Sequence, residues 1–192
     1  MTTANPAQVT TAEPSISGRL VRSSLRYLRD REGAATIAAV AQQQLPQHKF
    51  LQAAHVDDGW IPLGAWLEAL ALFEQRFGDP PTLRLLREMT RATMAAAVST
   101  VWGTFLASAT PDQLMARVGD FWSVSFDTGT LAVAERAHGR ARLVVDGWLD
   151  PPREVGAMVA EACAVFLARV GVGAPRVVDR VVNGRLEIDG AW

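Results

Sequence analysis

The stretch HVDDGW, residues 55–60, holds the side chains that come closest to a metal site. An imidazole from His55 and carboxylates from Asp57 and Asp58 are groups that metal ions bind. The same residues also fit the beginning of a helix, because an aspartate beside a glycine can cap it and Pro62 suits its first turn. We favour the helix, with Asp57 or Asp58 as its cap and His55 in a loop, and predict no metal site.

Nucleophilic catalysis would need a serine or cysteine beside a base. Ser123 or Ser125 could be paired with His138, but there is no Gly-x-Ser-x-Gly elbow and His138 falls in a predicted turn. Cys163 is the single cysteine, which excludes an internal disulfide and a zinc site built on two thiolates. Its place on an alanine-rich helix favours a small hydrophobic side chain over a reactive thiol. We therefore predict no catalytic residues and no enzyme activity.

Large aromatic side chains point to binding instead. The tryptophans at 66, 102, 122 and 148 fall where helices are expected to meet a sheet. Indoles at such a position either fill the core or line an apolar pocket, and the sequence leaves both open. The side chains predicted to line a pocket are Trp102, Phe105, Trp122, Trp148 and Met158.

The composition limits the class of partner. The chain has 192 residues, 49% hydrophobic and 20% charged, with a net charge of −1. A net charge this small produces no overall electrostatic field that would attract nucleic acid or an anionic membrane. No stretch reaches the roughly 20 apolar residues of a membrane span. The beginning of the sequence does not resemble a secretory signal, so we expect a cytoplasmic protein. The densest basic run is interpreted as a solvated helix face; it comprises Arg19, Arg22, Arg26, Arg29 and Arg31.

The elements that position these residues follow from the apolar periodicity. Residues 1–14 are small and polar, so we expect a flexible tail followed by one domain over residues 15–192. Spacings of three and four predict helices from near Ser15, over 34–45, from Pro62 to Gly78, over 82–107, and from a capping box at Thr110 and Gln113.

After Trp122 the apolar pattern alternates. WSVSFDTG, TLAVAERA and RARLVVDGWL predict a three-strand meander. A helix capped by Asp150 follows, and RVVDRVV and RLEIDGAW around Asn183-Gly184 predict a closing hairpin. The predicted fold is α+β, with an N-terminal helical layer packed on a small antiparallel sheet formed by the three-strand meander and the C-terminal hairpin, a helix lying between them in sequence.

The stretch DGWIPLGAWLEALALFEQRFGD resembles a bacterial domain family of unknown function that is abundant in myxobacteria. In that family a Trp/Tyr-x-Pro step opens a helix that ends in glycine. TVWGTFLASATPDQLMARVGDFWSVSFDTGTLAV fits the same order, and the resemblance covers residues 16–192. The family is similar to a superfamily of haem-based nitric oxide sensing domains, vinyl-reductase-type sensor domains and subunits of the TRAPP vesicle tether. The resemblance implies a pocket between helices and sheet, and binding, sensing or assembly rather than catalysis.

The sequence departs from the ligand chemistry of those relatives. Haem sensing needs a histidine on the helix before the sheet, and none occurs between Thr82 and Phe121. The arginine-containing motif that holds haem propionates is not recognisable. The zinc-binding sensors use a cysteine-rich set near the final helix, where this chain has Glu161 and Cys163. These point about 200° apart on a helix and cannot chelate one ion. We predict no cofactor.

Two hypotheses follow. The first is a non-enzymatic sensory or regulatory domain that binds a small apolar ligand between helices and sheet. The second is a protein-protein interaction module with a solid core that associates with itself, as a dimer, or with a protein partner. A cavity of several hundred Å³ would favour the first, and a filled core the second.

Overall fold

The computed structural model describes residues 13–42, 50–51, 58–100 and 102–192. Its helices are α1 (Gly18–Glu32), α2 (Ala34–Gln42), α3 (Leu63–Phe77), α4 (Arg84–Thr100), α5 (Gly103–Leu106), α6 (Pro111–Met115), α7 (Val118–Ser123) and α8 (Arg153–Arg169). Its strands are β1 (Ser15–Ser17), β2 (Trp60–Pro62), β3 (Thr130–Ala137), β4 (Arg140–Asp146), β5 (Arg176–Val182) and β6 (Arg185–Ala191). The α+β fold with a small antiparallel sheet is confirmed.

The main sheet has four antiparallel strands in the order β3-β4-β6-β5. Leu131 lies opposite Val145, and Val133 lies opposite Leu143, so these apolar residues share one face as their alternation predicts. The helix α8 packs against β5 and β6. The β5–β6 hairpin turns at Asn183-Gly184, where both residues have positive φ, 51° and 74°, as a two-residue hairpin turn requires.

The capping box predicted at the start of α6 is also confirmed. The backbone N–H of Gln113 donates to the Thr110 hydroxyl at 3.2 Å, and the backbone N–H of Thr110 donates to the Gln113 side chain at 2.8 Å. Pro111 occupies the first turn, where its missing N–H is not needed. This short helix therefore has a fixed beginning, and its Leu114 and Met115 are buried.

The prediction of a first meander strand at WSVSFDTG is wrong. WSVSFDTG continues α7 and the turn after it, so the meander has two strands, β3 and β4. Trp122 and Phe126 are buried while Val124 between them is 54% exposed. Residues four apart share a helix face, so the apparent alternation is one side of a helical turn. The Ser125 hydroxyl donates to the Phe121 carbonyl at 2.8 Å, a bond that helical backbone permits.

The predicted caps at Asp58 and Asp150 are wrong as well. The residue that precedes α3 is Pro62, and no side chain caps the helix. The backbone N–H of Leu63 instead donates to the Pro14 carbonyl at 2.8 Å, which satisfies it without an aspartate. Asp150 has a φ of 46°, and the residue that precedes α8 is Pro152, which provides no side-chain cap. The positions of His55 and Asp57 lie outside the described residues, as do residues 1–12 of the expected tail.

Two helix boundaries also differ from the prediction. Residues 15–17 form β1, so the first helix begins at Gly18 rather than near Ser15. The helix predicted over 82–107 is divided into α4, which ends at Thr100, and α5, which begins at Gly103. The division changes the direction of the side chains that follow Trp102. This matters for Phe105, which was predicted to lie on the same continuous helix as Trp102.

Strand β1 fixes the beginning of α1 against the end of α7. It pairs with β2, and Ile16 forms a bridge with Phe126. The Ser17 backbone N–H donates to the Ser125 carbonyl at 2.9 Å. The Ser15 backbone N–H donates to the Asp127 carboxylate at 2.7 Å. As a result, the first helix of the chain lies beside a segment more than 100 residues away in sequence.

Candidate functional site

A cavity of about 700 Å³ opens among α1, α4, α6, α7 and α8. The sheet contributes Leu131 at the beginning of β3. The cavity is open to the surface, since several lining residues on α1, α4 and the turn after α7 are exposed, among them Arg19, Arg26, Ala96 and Val124. The described apolar residues that line it include Leu20, Met94, Ala97, Trp102, Leu114, Met115, Val118, Phe121, Trp122, Phe126, Val159, Ala162, Cys163 and Phe166.

One wall of the cavity is a run of aromatic rings. The ring centroids of Trp102 and Phe121 are 4.5 Å apart in an edge-to-face arrangement. Those of Phe121 and Phe166 are 4.6 Å apart and stacked. Both geometries are favourable for aromatic pairs, so the wall is held in place without a ligand. It presents flat, weakly polar surface to whatever occupies the cavity.

A second aromatic cluster forms the floor. Trp122 packs against Phe126 at 4.5 Å and against Trp148 at 5.1 Å between ring centroids. Thr128 satisfies both indoles, because its backbone carbonyl accepts from Trp122 Nε1 at 2.9 Å and its hydroxyl accepts from Trp148 Nε1 at 3.0 Å. Gly129 has a φ of 69°, and a Cβ there would lie 2.7 Å from Trp148 Nε1. The turn therefore leaves no room for a side chain beside the indole.

Of the five side chains predicted to line a pocket, two line the cavity and three are outside its described lining. Trp102 and Trp122 line the cavity. Trp148 contacts Trp122 but is not among the described lining residues. Phe105, on α5, lies 5.4 Å from the guanidinium of Arg117, and is also outside the described lining.

Met158 lies outside the described lining of the cavity. On α8 the lining residues are Val159, Ala162, Cys163 and Phe166. Their spacings of three and four place them on one stripe. Met158 stands about 40° from Ala162, beyond the edge of this stripe, and is half-buried. A ligand-contacting role for any of the five remains a prediction.

The sequence reading missed the contribution of α1. Arg19, Arg22 and Arg26 line the cavity together with Ser23 and Asp30. The spacing of these arginines predicted one helix face correctly, but the face was interpreted as merely solvated. No local pattern reveals that α4 and α7 stand opposite it. Only the pairing of β1 with distant residues puts α1 there.

Asp58 lies beside the arginines of α1 that line the cavity. Its carboxylate accepts a hydrogen bond from Arg22 and lies 3.5 Å from Arg19 Nε. The hydrogen bond from Arg22, together with the charges of both guanidiniums, holds the pKa of Asp58 below its usual range. Asp58 is half exposed, so this ion pair is screened by solvent and adds little to stability.

Cys163 faces the cavity as a neutral thiol. Burial raises its pKa to about 12, because a thiolate would lose its hydration there. The thiolate is the reactive and metal-binding form, so the side chain behaves as a small apolar group at neutral pH. Glu161 lies apart from it and pairs with Arg91 at 2.8 Å and Arg87 at 3.6 Å.

The described residues contain no hydrolytic site of the kind considered from the sequence. The Ser123 hydroxyl donates to the Asp120 carbonyl at 3.0 Å, and Ser125 donates to Phe121. His138 lies in the turn between β3 and β4, as predicted. No group of three or more His, Cys, Asp or Glu side chains in the described ranges could hold a metal ion. None of the described helices has the length and apolar character needed to cross a membrane.

Comparison with known proteins places the fold. No family model and no curated protein matches the chain. A variant of the H-NOX protein from K. algicida, in the unliganded Fe(II) state, is similar with a TM-score of 0.70 at 10% identity, over 91% of this chain and 95% of that one. An H-NOX protein variant from S. oneidensis in the Fe(II) state gives 0.67 at 7% identity, with the same coverage. A variant from T. Tengcongensis gives 0.62 at 10% identity, over 91% and 96%. At these identities the likeness shows an H-NOX-like fold. The resemblance to a myxobacterial family stays a prediction.

Because structures of this fold have been studied for their haem, the cavity must be tested for that group. Histidine, thiolate, methionine and tyrosinate are the side chains that hold haem iron. The described lining contains no histidine, and its thiol has a raised pKa. Met94 and Met115 line the cavity and Tyr27 lies at its rim, where its hydroxyl accepts a hydrogen bond from Arg31. The residues described do not fit a haem ligated by histidine, and no role is assigned to iron.

Proposed function

We propose that the chain is a non-enzymatic sensory or regulatory domain that binds one small, largely apolar organic ligand in the cavity among α1, α4, α7 and α8. One observation carries this proposal: a cavity of about 700 Å³, lined mostly by apolar and aromatic side chains, lies beside the buried apolar core. Ligand sites commonly measure about 300 to 1,000 Å³ and are lined mostly by apolar and aromatic side chains.

The energetics favour an occupant. Apolar side chains that border empty or wet space lose the contacts that a packed interior would give them. An apolar ligand restores those contacts and contributes about 25 cal/mol for each Å² of apolar surface removed from water. Met94, Trp102 and Phe121 line the cavity and are only half-buried, so they have surface left for a ligand to cover.

The interaction-module hypothesis rested on a solid core. A filled space among these helices would have favoured it, and the cavity favours ligand binding instead. The likeness to H-NOX structures supports the same choice at the level of fold, since those proteins have a similar fold and contain haem. The described cavity lining provides no histidine to ligate haem iron, which supports an organic ligand over a histidine-ligated haem.

The test uses a fluorescent apolar probe. Pyrenebutanol should quench the emission of Trp102 and Trp122 saturably, because pyrene accepts excitation from nearby indoles. Ala162→Phe places a ring inside the cavity and should weaken binding at least tenfold. Ala168→Phe is the matched control, since Ala168 lies on the same helix and is exposed. Absence of saturable quenching in the unmodified protein, or equal binding by the two variants, would overturn the proposal.

A further inference from the structure

Helix α1 turns two different faces to its surroundings. Val21, Leu25 and Leu28 are fully buried in the core. On the other side, Arg19, Ser23 and Arg26 belong to the cavity lining. Each step of three or four residues returns to nearly the same face of a helix, so the polar side of α1 forms one edge of an otherwise apolar cavity.

The charge on this edge is positive. Three arginines, at 19, 22 and 26, and one carboxylate, Asp30, are the charged residues of the described lining. Asp58 satisfies part of the charge of Arg22 and Arg19 from outside the lining. Arg26 makes no ion pair with any other described residue and is exposed. Among the described residues at this edge, three arginines therefore stand against two carboxylates, Asp30 and Asp58, and Arg26 is the arginine with no described ion-pair partner.

We propose that the ligand is an organic acid whose apolar body fills the cavity and whose anionic head group lies against Arg22 and Arg26. This inference rests on the function proposed above and adds the chemical class of the ligand. A guanidinium presents two parallel N–H groups to the two oxygens of a carboxylate, and the pair gains strength beside low-dielectric walls. The aromatic wall of Trp102, Phe121 and Phe166 suits a flat or elongated body.

The probes are pyrenebutyrate and pyrenebutanol, which differ only in the head group. The acid should bind the unmodified protein about five- to twentyfold more tightly than the alcohol at low salt, and the difference should shrink as ionic strength rises. Both affinities come from quenching of tryptophan emission, so the same measurement reports on the cavity and on the head-group site.

Paired substitutions then test the arginines in both directions. Arg26→Gln should weaken binding of pyrenebutyrate about two- to fivefold and leave pyrenebutanol unchanged. Asp58→Asn should strengthen binding of the acid by a similar factor, because it releases Arg22 and Arg19 from a competing carboxylate. Arg185→Gln is the control, since Arg185 pairs with Asp146 on the sheet. It changes the net charge equally at a site remote from the cavity.

The outcomes separate the two proposals. If neither probe binds saturably, the proposed function fails and this inference fails with it. If both probes bind equally and Arg26→Gln changes neither affinity, the cavity is a binding site but the ligand is not an acid. If Arg185→Gln weakens the acid as much as Arg26→Gln does, the effect is one of net charge and the head-group site is refuted. Preference for the acid with opposite shifts in Arg26→Gln and Asp58→Asn supports the inference.

Discussion

The thiol of Cys163 lines the cavity, and its reactivity depends on how well solvent reaches that wall. Its pKa of about 12 means that the neutral thiol is the stable form and that the reactive thiolate appears only as the pH rises. At pH 8 roughly one molecule in ten thousand carries the thiolate, compared with about a quarter for an ordinary cysteine. The thiol is therefore protected by desolvation, although it faces a cavity that is open to solvent.

We accordingly expect alkylation of Cys163 by iodoacetamide to be slow at pH 8 and to accelerate about tenfold per pH unit up to at least pH 10. The sign follows from the raised pKa, because each unit of pH multiplies a small thiolate population by ten. Intact-mass spectrometry after timed quenching measures the rate, with glutathione as the reference thiol. A rate that levels off near pH 8.5 would contradict the desolvated thiol.

Thr128 supports the floor of the cavity through two indoles. Thr128→Val keeps the backbone carbonyl that Trp122 uses and removes the hydroxyl that accepts from Trp148. We expect a loss of about 1 to 2 kcal/mol in the free energy of unfolding, because a nearly buried N–H is left without its acceptor. Urea denaturation measures the change. Thr130→Val, at an exposed position of β3, is the control and should change stability little; equal stability of the two variants would refute the role of the hydroxyl.

At the scale of elements, the predictions that held rested on local chemistry. The capping box of α6 and the Asn183-Gly184 turn are fixed by bonds within four residues, so the sequence alone contains their cause. The error at WSVSF came from a pattern that fits both a strand and a helical turn. Val124 decides between them, because it is exposed where a strand with both neighbouring apolar residues inward would bury it. That exposure depends on the tertiary fold, which no local window contains.

Glu74 shows how a buried charge can organise the connection between two helices. Its carboxylate is 3% exposed and accepts from the backbone N–H groups of Asp79, at 2.9 Å, and Leu86, at 2.5 Å. One donor in the connection after α3 and one in the first turn of α4 are thereby satisfied by the same side chain of α3. The sequence reading did not single out Glu74, because a glutamate late in an amphipathic helix is usually on the surface.

Glu74→Ala should lower the free energy of unfolding by about 2 to 4 kcal/mol, since it leaves the buried N–H of Leu86 and the partly buried N–H of Asp79 without their acceptor and opens a void. Thermal and urea denaturation measure the loss. Gln75→Ala, at an exposed position of the same helix, is the control. If both variants lose the same stability, the backbone hydrogen bonds of Glu74 are not what holds the connection.

At the scale of the whole molecule, the fold could be predicted as α+β, but the cavity only in part. Trp102 and Trp122 were found because aromatic residues near element ends tend to meet at layer interfaces. Arg22 and Arg26 were not, because their role comes from the approach of α1 to α7, which are about 100 residues apart. Phe105 was misplaced by the break after α4. The contacts of β1 with β2 and with the end of α7 bring the lining residues together, and local sequence patterns do not contain these contacts.

We expect the purified domain to be colourless, and addition of haemin to give no Soret band of a histidine-ligated haem, because the described cavity lining supplies no imidazole. Absorption spectroscopy under reducing and oxidising conditions makes the measurement. A Soret band that appears on addition of haemin and disappears when His48, His55 or His138 is replaced would sink this prediction.

The backbone N–H of Ser15 in β1 donates to Asp127, 112 residues later in the sequence, and α8, which follows still later, supplies the last wall of the cavity. A ribosome therefore releases the arginine-bearing face of α1 long before anything exists for it to face. The binding space comes into being only when the chain through Phe166 has emerged and the two distant segments have met. Closing so long a loop is slow and costs entropy, so a ligand cannot guide early folding of this chain. It can only stabilise the finished domain, and occupancy during synthesis should leave the rate of appearance of native protein unchanged.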